Sequence, residues 1–412
     1  MIKLILHNLV KHRFLFILIG IVVGIFIFYL LVGINTVLSA SESLTKAAAD
    51  NLTADIIICP GKKEHFDIMT MAGEKEIVNL QKWPRLLSFL DKQGYVKAAA
   101  PRLRTKVMIG SEASRMPFIL VGIEPERERA LLPSRFIKKG RWIQKSNEII
   151  MYYRHSDKLK AEPENVLELL NISTVDNGYR YSDTAKLTGT IDYNELNFYL
   201  EFCYFGFVDI TYLNSLLFTK NPLASEIIVR LKQGTSISRL KHDIEREFGS
   251  GYKFILPEGS ASFLHDIYRL SYYSVYAVAI LLLILVYLSS SFLVSASIEN
   301  RRKEIGVYQA MGVTKWRIGL LFTGEFFTVM LLFGGVGAYA ALFFIDTLSQ
   351  NGILAIIYPL KLIFGRNVLY ISYHSQSFVV VGIFLLIALL GNVATAIFRL
   401  SSFNPVQILR EL

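Results

Sequence analysis

The chain has 412 residues, of which 52% are hydrophobic and only 19% charged, where an ordinary soluble domain carries about 25% charge. Its net charge of +10 gathers in short segments beside long apolar runs, which makes it a membrane-orientation signal and argues against a nucleic-acid footprint. Two cysteines, Cys59 and Cys203, carry no spacing information, so a disulfide and a pair of buried thiols both stay open.

Residues 1–13 set Ile2, Leu4, Ile5, Leu9 and Val10 among His7, Lys11, His12 and Arg13, the pattern of a short amphipathic helix lying along the inner membrane surface. Residues 14–38 hold no charged side chain and outrun the apolar core of a cleaved signal, about 7 to 15 residues, so they read as an uncleaved first span. Within it Gly20 and Gly24 form a small-x-x-x-small pair that permits close helix approach, with a second protomer as one candidate. Residues 39–52 lack Gly and Pro and should carry the helix outward as a stalk, with residues 261–272 as its returning partner.

Residues 39–270 read as one large extracytoplasmic α+β domain. A β-branched run at 55–59, a helical pattern at 79–93 and an extended stretch at 95–99 make a first β-α-β unit. A strand at 226–232, a helix at 236–248 with Ser236 as N-cap and a strand at 252–256 make a second. Two such units around an insertion suggest a split ferredoxin-like α+β module with a β-rich insertion at about residues 100–225. In the insertion, 103–110 and 116–122 alternate around a Gly-Ser-Glu-Ala-Ser turn, 157–170 is expected to be helical, and 197–210 is aromatic-rich and strand-like. Residues 60–78 are polar and loop-like.

The remaining spans are expected at 271–298, 318–345 and 376–398, giving a membrane α-helical protein with four transmembrane helices. Glu325 lies roughly 12 Å into the third span, where a carboxyl facing lipid would cost several kcal/mol. It should face a protein group, as a static hydrogen bond to a neighbouring helix, as a protonated acid, or as a contact that shifts during the working cycle. Residues 346–375 join spans three and four; their apolar stretch 353–364, broken by Pro359 and Lys361, is too short to cross and should rest in the outer interface. The basic residues flanking the spans place both termini, 1–13 and 399–412, and the loop 299–317 on the cytoplasmic side of the membrane.

No phosphate-binding glycine loop, zinc-protease motif, Cys-x-x-Cys or serine-hydrolase elbow occurs, and the seven histidines are scattered. Glu64, His65 and Asp67 read as a polar loop more simply than as a metal site. No catalytic, cofactor-binding or metal-binding residue is assigned. Residues 299–311 are good helix formers followed by Gly312 as C-cap and Thr314 as N-cap of the next helix. Their charges serve either to orient the span or to face a cytoplasmic partner.

The run ENRRKEIGVYQAMGVTKWRIGLLFTGEFF, residues 299–327, resembles the signature of the FtsX-like permease family of type VII ABC transporters, which includes MacB-type exporters and the LolC/LolE lipoprotein-release permeases. SSFNPVQILREL, residues 401–412, resembles the family's terminal motif through Pro405, Leu409 and Arg410, and residues 122–143 echo the outer domain. The resemblance implies a non-catalytic membrane subunit that dimerises with an identical or paralogous protomer and binds a separate cytoplasmic ABC ATPase, which uses ATP and Mg. It makes Glu299, Arg301, Arg302, Lys303, Glu304, Gly306, Met311 and Gly312 the coupling segment. Motion would pass to the outer domain for export or release of a lipoprotein, lipid, peptide or hydrophobic compound, with a periplasmic adaptor or acceptor as a further partner. Family members also act as regulators that signal to a cell-wall hydrolase or sensor kinase without transport.

Overall fold

The computed structural model describes residues 13–61, 79–132, 136–173, 180–193, 203–219, 221–260, 262–354 and 368–401. The expected surface helix before Arg13, the polar loop with Glu64, His65 and Asp67, most of the apolar stretch 353–364 and the motif residues Pro405, Leu409 and Arg410 lie outside the described residues. The chain divides into two compact units. One holds Met1–Ala40, Tyr268–Leu354 and Val368–Leu412, and the other Ser41–Ile267 and Ala355–Asn367.

The chain enters through α1 (Arg13–Ala48), whose last turn passes into a π-helical turn at Ala49–Thr53. The expected stalk is therefore α-helical only to Ala48. Next come β1 (Ile56–Pro60), α2 (Trp83–Lys92), β2 (Val96–Gly110), β3 (Arg115–Ile123), α3 (Pro125–Leu131) and β4 (Phe136–Gly140). They are followed by β5 (Glu148–Tyr152), α4 (Tyr153–Leu159), β6 (Val166–Ser173), β7 (Arg180–Asp192), β8 (Phe205–Asp209) and α5 (Ile210–Leu216). After β9 (Glu226–Leu231), α6 (Ile237–Phe248) and β10 (Tyr252–Ile255) the chain runs into α7 (Ser262–Asn300), α8 (Arg302–Ala310) and α9 (Lys315–Asn351). A two-stranded ribbon of β11 (Ile353–Leu354) and β12 (Val368–Leu369) precedes α10 (Ser375–Ser401).

In the α/β unit, strands β10, β1, β9 and β2 lie side by side, each neighbour antiparallel. Numbered within the module they stand in the order four, one, three, two, with a helix after the first and third, which is the ferredoxin-like arrangement. The Ile56-Ile57-Ile58 run has no alternation because both faces of β1 are covered. Ile56 and Ile58 join Leu86, Leu90, Leu240 and Ile244 beneath α2 and α6, while Ile57 and Cys59 point into a second cluster with Ile228 and Ile255. Cys203 packs against that second cluster.

The insertion continues the same sheet. β2 is one strand of 15 residues where the sequence suggested two: its first half pairs with β9, including Pro101 opposite Ile227, and its second half forms a hairpin with β3. Strand β3 pairs in parallel with β8, and β5 in parallel with β7. The helix expected over 157–170 is not formed. Helix α4 ends at Leu159 because Lys160 turns left-handed (φ 50°), Pro163 and Glu164 (φ 83°) form a corner, and β6 then buries Leu167 and Leu169 while exposing Val166 and Glu168. Two leucines with a period of two fit a half-buried strand. Arg230 fixes the start of β1, reaching Asp55 at 2.9 Å, Asp50 at 3.3 Å and the carbonyl of Ala49 at 2.9 Å.

Four described helices in the chain are long and apolar enough to cross a membrane: α1, α7, α9 and α10. On α1, Phe16, Ile19, Val23, Phe26, Leu30 and Ile34 recur every three or four residues and are buried, while Ile17, Leu18, Ile21 and Ile25 are exposed. That stripe marks the face packed on neighbouring helices, and the remaining face is apolar enough for lipid.

Candidate functional site

The segment with the most chemistry in the membrane unit is the corner joining α7, α8 and α9. Arg301 leaves the helical conformation (φ −115°, ψ 22°), so the helix expected over 299–311 is broken after Asn300 and restarts as α8. At the far end the amide of Val313 donates to the carbonyl of Tyr308 at 3.0 Å and that of Gly312 to Gln309, with Gly312 at φ +84°. This is a Schellman closure, and its left-handed residue disfavours any side chain. Thr314 is extended, and Ile318 donates to its carbonyl, so α9 starts as expected although the Thr314 side chain makes no cap.

The break at Arg301 aims its guanidinium inward. Arg301 Nη1 donates to Glu325 Oε1 at 2.9 Å and Nη2 to Oε2 at 3.4 Å, a bidentate pair with Arg301 9% and Glu325 2% exposed. The guanidinium also lies 5.2 Å from the centre of the Phe322 ring. Glu325 thus faces a protein group on its own chain, and its charge is matched where an unpaired carboxylate would be costly. Arg301 is not offered to a cytoplasmic partner. A carboxyl inside a span needs a cation, and Arg301, 24 residues earlier, was a candidate the sequence could have named; the pairing itself depends on the break in the helix.

Around this pair Ile298, Ile305, Ile318, Phe322, Ala396 and Leu400 form a buried cluster that seats α8 against α7, α9 and α10. Gly306 is buried with it. The opposite face is open: Glu299, Lys303, Glu304, Val307, Met311, Gly312 and Trp316 are exposed, Met311 at 65%. Arg302 is half-buried and pairs with Glu299 at 3.8 Å. Lys303, Val307 and Met311 fall at helical spacing on one face, a mixed apolar and charged surface held on a rigid base.

Gly20 and Gly24 pack within the chain. A Cβ on Gly337 of α9 would fall 2.3 Å from the carbonyl oxygen of Gly24, and one on Gly20 would strike the Phe333 ring. The pair considered above for a second protomer is therefore occupied by α9. Polar side chains unremarked in the sequence add further ties: Asn392 Nδ2 donates to Ser290 Oγ at 2.8 Å, the Tyr287 and Thr395 hydroxyls meet at 3.0 Å, and Asn35 Nδ2 donates to Ser377 Oγ at 2.9 Å.

The described residues thus combine four membrane-length helices, a mixed α/β domain inserted after the first, and a basic corner tied to the third by a buried ion pair. Residues 274–405 match the family described as FtsX-like permease C-terminal, a region that includes the run 299–327 whose resemblance pointed to that family. Aligned over 49% of this chain and 88% of its own, the periplasmic region of MacB from Actinobacillus actinomycetemcomitans is similar at 9% identity and a TM-score of 0.35. The extracellular domain of the ABC-type transporter YknZ from Gram-positive bacteria aligns over 49% of this chain and 99% of its own, at 12% identity and a TM-score of 0.33. No curated protein matches the chain.

Proposed function

We propose that the chain is the membrane subunit of an ABC transporter whose ATP and Mg chemistry belongs to a separate cytoplasmic ATPase, docked on the exposed face of α8. The observation that carries this reading is the contrast between the two faces of that helix. Ile305 and Gly306 are buried on an ion-paired base, while Lys303, Glu304, Val307 and Met311 are left open. A push on a helix seated this way is passed to α7 and α9 and not dissipated locally. The excess of basic residues around this corner supports a cytoplasmic placement, with the α/β domain on the opposite side of a bacterial inner membrane.

In this reading ATP-driven motion reaches the outer domain, which acts on a lipoprotein, lipid, peptide or hydrophobic compound; a second protomer, identical or paralogous, completes the complex. In membranes reconstituted with the partner ATPase, V307D/M311D should abolish association and the stimulated ATPase activity while leaving the purified permease folded. Undiminished association and stimulation would remove α8 as the docking surface. If coupling holds but no compound accumulates on deletion, the regulatory role takes the place of transport.

A further inference from the structure

The α/β unit holds a cleft of about 770 Å³ that the coupling reading does not use. Strands β3 and β8 are parallel neighbours in register, Ile123 beside Asp209, and each runs directly into a helix: β3 through Glu124 into α3, β8 through Asp209 into α5. The cleft opens at these two carboxyl ends, the position where parallel strands followed by helices leave a crevice for ligands. Trp83 makes another wall, its indole N–H held by the carbonyl of Pro222 at 3.0 Å. The volume suits a small molecule or a few peptide side chains.

The described charged groups in the cleft are unequal in sign. Among the described residues, Glu124, Glu126 and Asp209 line it with one cation, Arg127, which is already spent: it binds both oxygens of Asp91 at 2.8 and 2.9 Å and gives Nε to Glu124 Oε2 at 2.9 Å. Asp209 Oδ1 accepts the Thr211 amide at 2.7 Å and the Thr211 hydroxyl. Among the described residues, Glu124 Oε1 and Asp209 Oδ2 are left without such partners. Burial raises the Glu124 carboxyl above its ordinary range; Arg127 opposes this, and the charges of Asp209 and Asp91 add to it. A cation placed between the two acids would relieve that repulsion, and Trp83 offers an aromatic ring elsewhere on the wall of the same cleft.

We infer that this cleft binds a cationic amphipathic ligand, an ammonium or guanidinium group attached to an aromatic or apolar body, as in a basic peptide. The inference concerns the α/β unit alone and stands or falls without any ATPase, so its failure would leave the coupling reading intact, and the reverse.

The test is calorimetric titration of the full chain in zwitterionic lipid nanodiscs with acetyl-lysyl-phenylalanine amide. Its norleucine analogue removes the charge and its glutamyl analogue reverses it. Saturable one-site binding of the lysine peptide is expected, weakened about tenfold or more by E124Q or D209N, since hydrogen bonds to charged groups are worth about that much. The side-chain carbonyl left by E124Q can still accept from Arg127, and the one left by D209N can still cap α5, so both variants should keep the wild-type melting temperature. W83A should lower affinity and W83F restore most of it. No saturable binding at millimolar peptide, equal binding of the norleucine analogue, or wild-type affinity in both acid variants would overturn the inference.

Discussion

Replacing Glu325 by alanine would strand the Arg301 guanidinium in a site where it is only 9% exposed. At the observed 2.9 Å and an effective dielectric of about 20, the gross attraction lost is about 6 kcal/mol. Desolvation of both ions offsets much of it, so the net cost of removing one partner should fall in the range of about 3–5 kcal/mol measured for broken buried pairs. E325A and R301A should each cost about that much. The double replacement R301M/E325L, which fills the space with apolar atoms and leaves no orphan charge, should cost far less than their sum. The assay is a double-mutant cycle on unfolding midpoints of the full chain in mixed detergent, with coupled ATPase activity as the second readout. Single variants costing under about 1 kcal/mol, or a double variant equal to the sum, would refute the pairing as an anchor for α8.

Three further outcomes follow from the packing and the charges. G337A should lower stability despite the roughly 1 kcal/mol that alanine gains over glycine in a helix, because its Cβ meets the Gly24 carbonyl; G335A, with open space around it, should be neutral or stabilising by thermal shift. Hydrogen bonds from Arg141, and from the amides of Gln144 and Lys145, hold the Glu148 carboxyl down at about 2 against the opposing effect of burial. Its stabilisation should be complete above about pH 5 and fade as the pH falls towards 2, so the gap in unfolding free energy between wild type and E148Q should close over that interval; a gap independent of pH would contradict the assignment. Aspartates on the open face of α8, as V307D/M311D, should abolish ATPase association without a comparable loss of thermal stability, measured by pull-down and thermal shift.

Several features of this chain were legible because they follow from local rules. A charge-free apolar run of spanning length has few solutions other than a membrane helix, and the strand-helix-strand periods on either side of the insertion were strong enough to imply a ferredoxin-like module. The Gly312 turn was likewise visible, since an exposed glycine after a helical run is the residue a left-handed closure demands. The helix expected at 157–170 shows where such reasoning stops. Its residues favour a helix locally, yet Pro163 and the pairing of β6 with β7 and β2 override that preference.

What the sequence determined alone was therefore the hydrophobic and turn chemistry: four apolar helices, two β-α-β units and a charged corner containing a family signature. What only the tertiary structure decided was which partners those residues took. In the sequence Arg301 stood in a basic cluster that either orients the span or faces a cytoplasmic partner, and Glu325 called for a protein group that the sequence did not name. Gly20 and Gly24 permitted close helix approach with a second protomer as one candidate, and Glu124 and Asp209 stood 85 positions apart with nothing to connect them. A buried charge takes the nearest opposite charge that the fold brings within reach, a glycine takes the closest backbone, and two strand ends meet only when the sheet sets them side by side. These are choices made between elements distant along the chain, where periodicity and propensity carry no information.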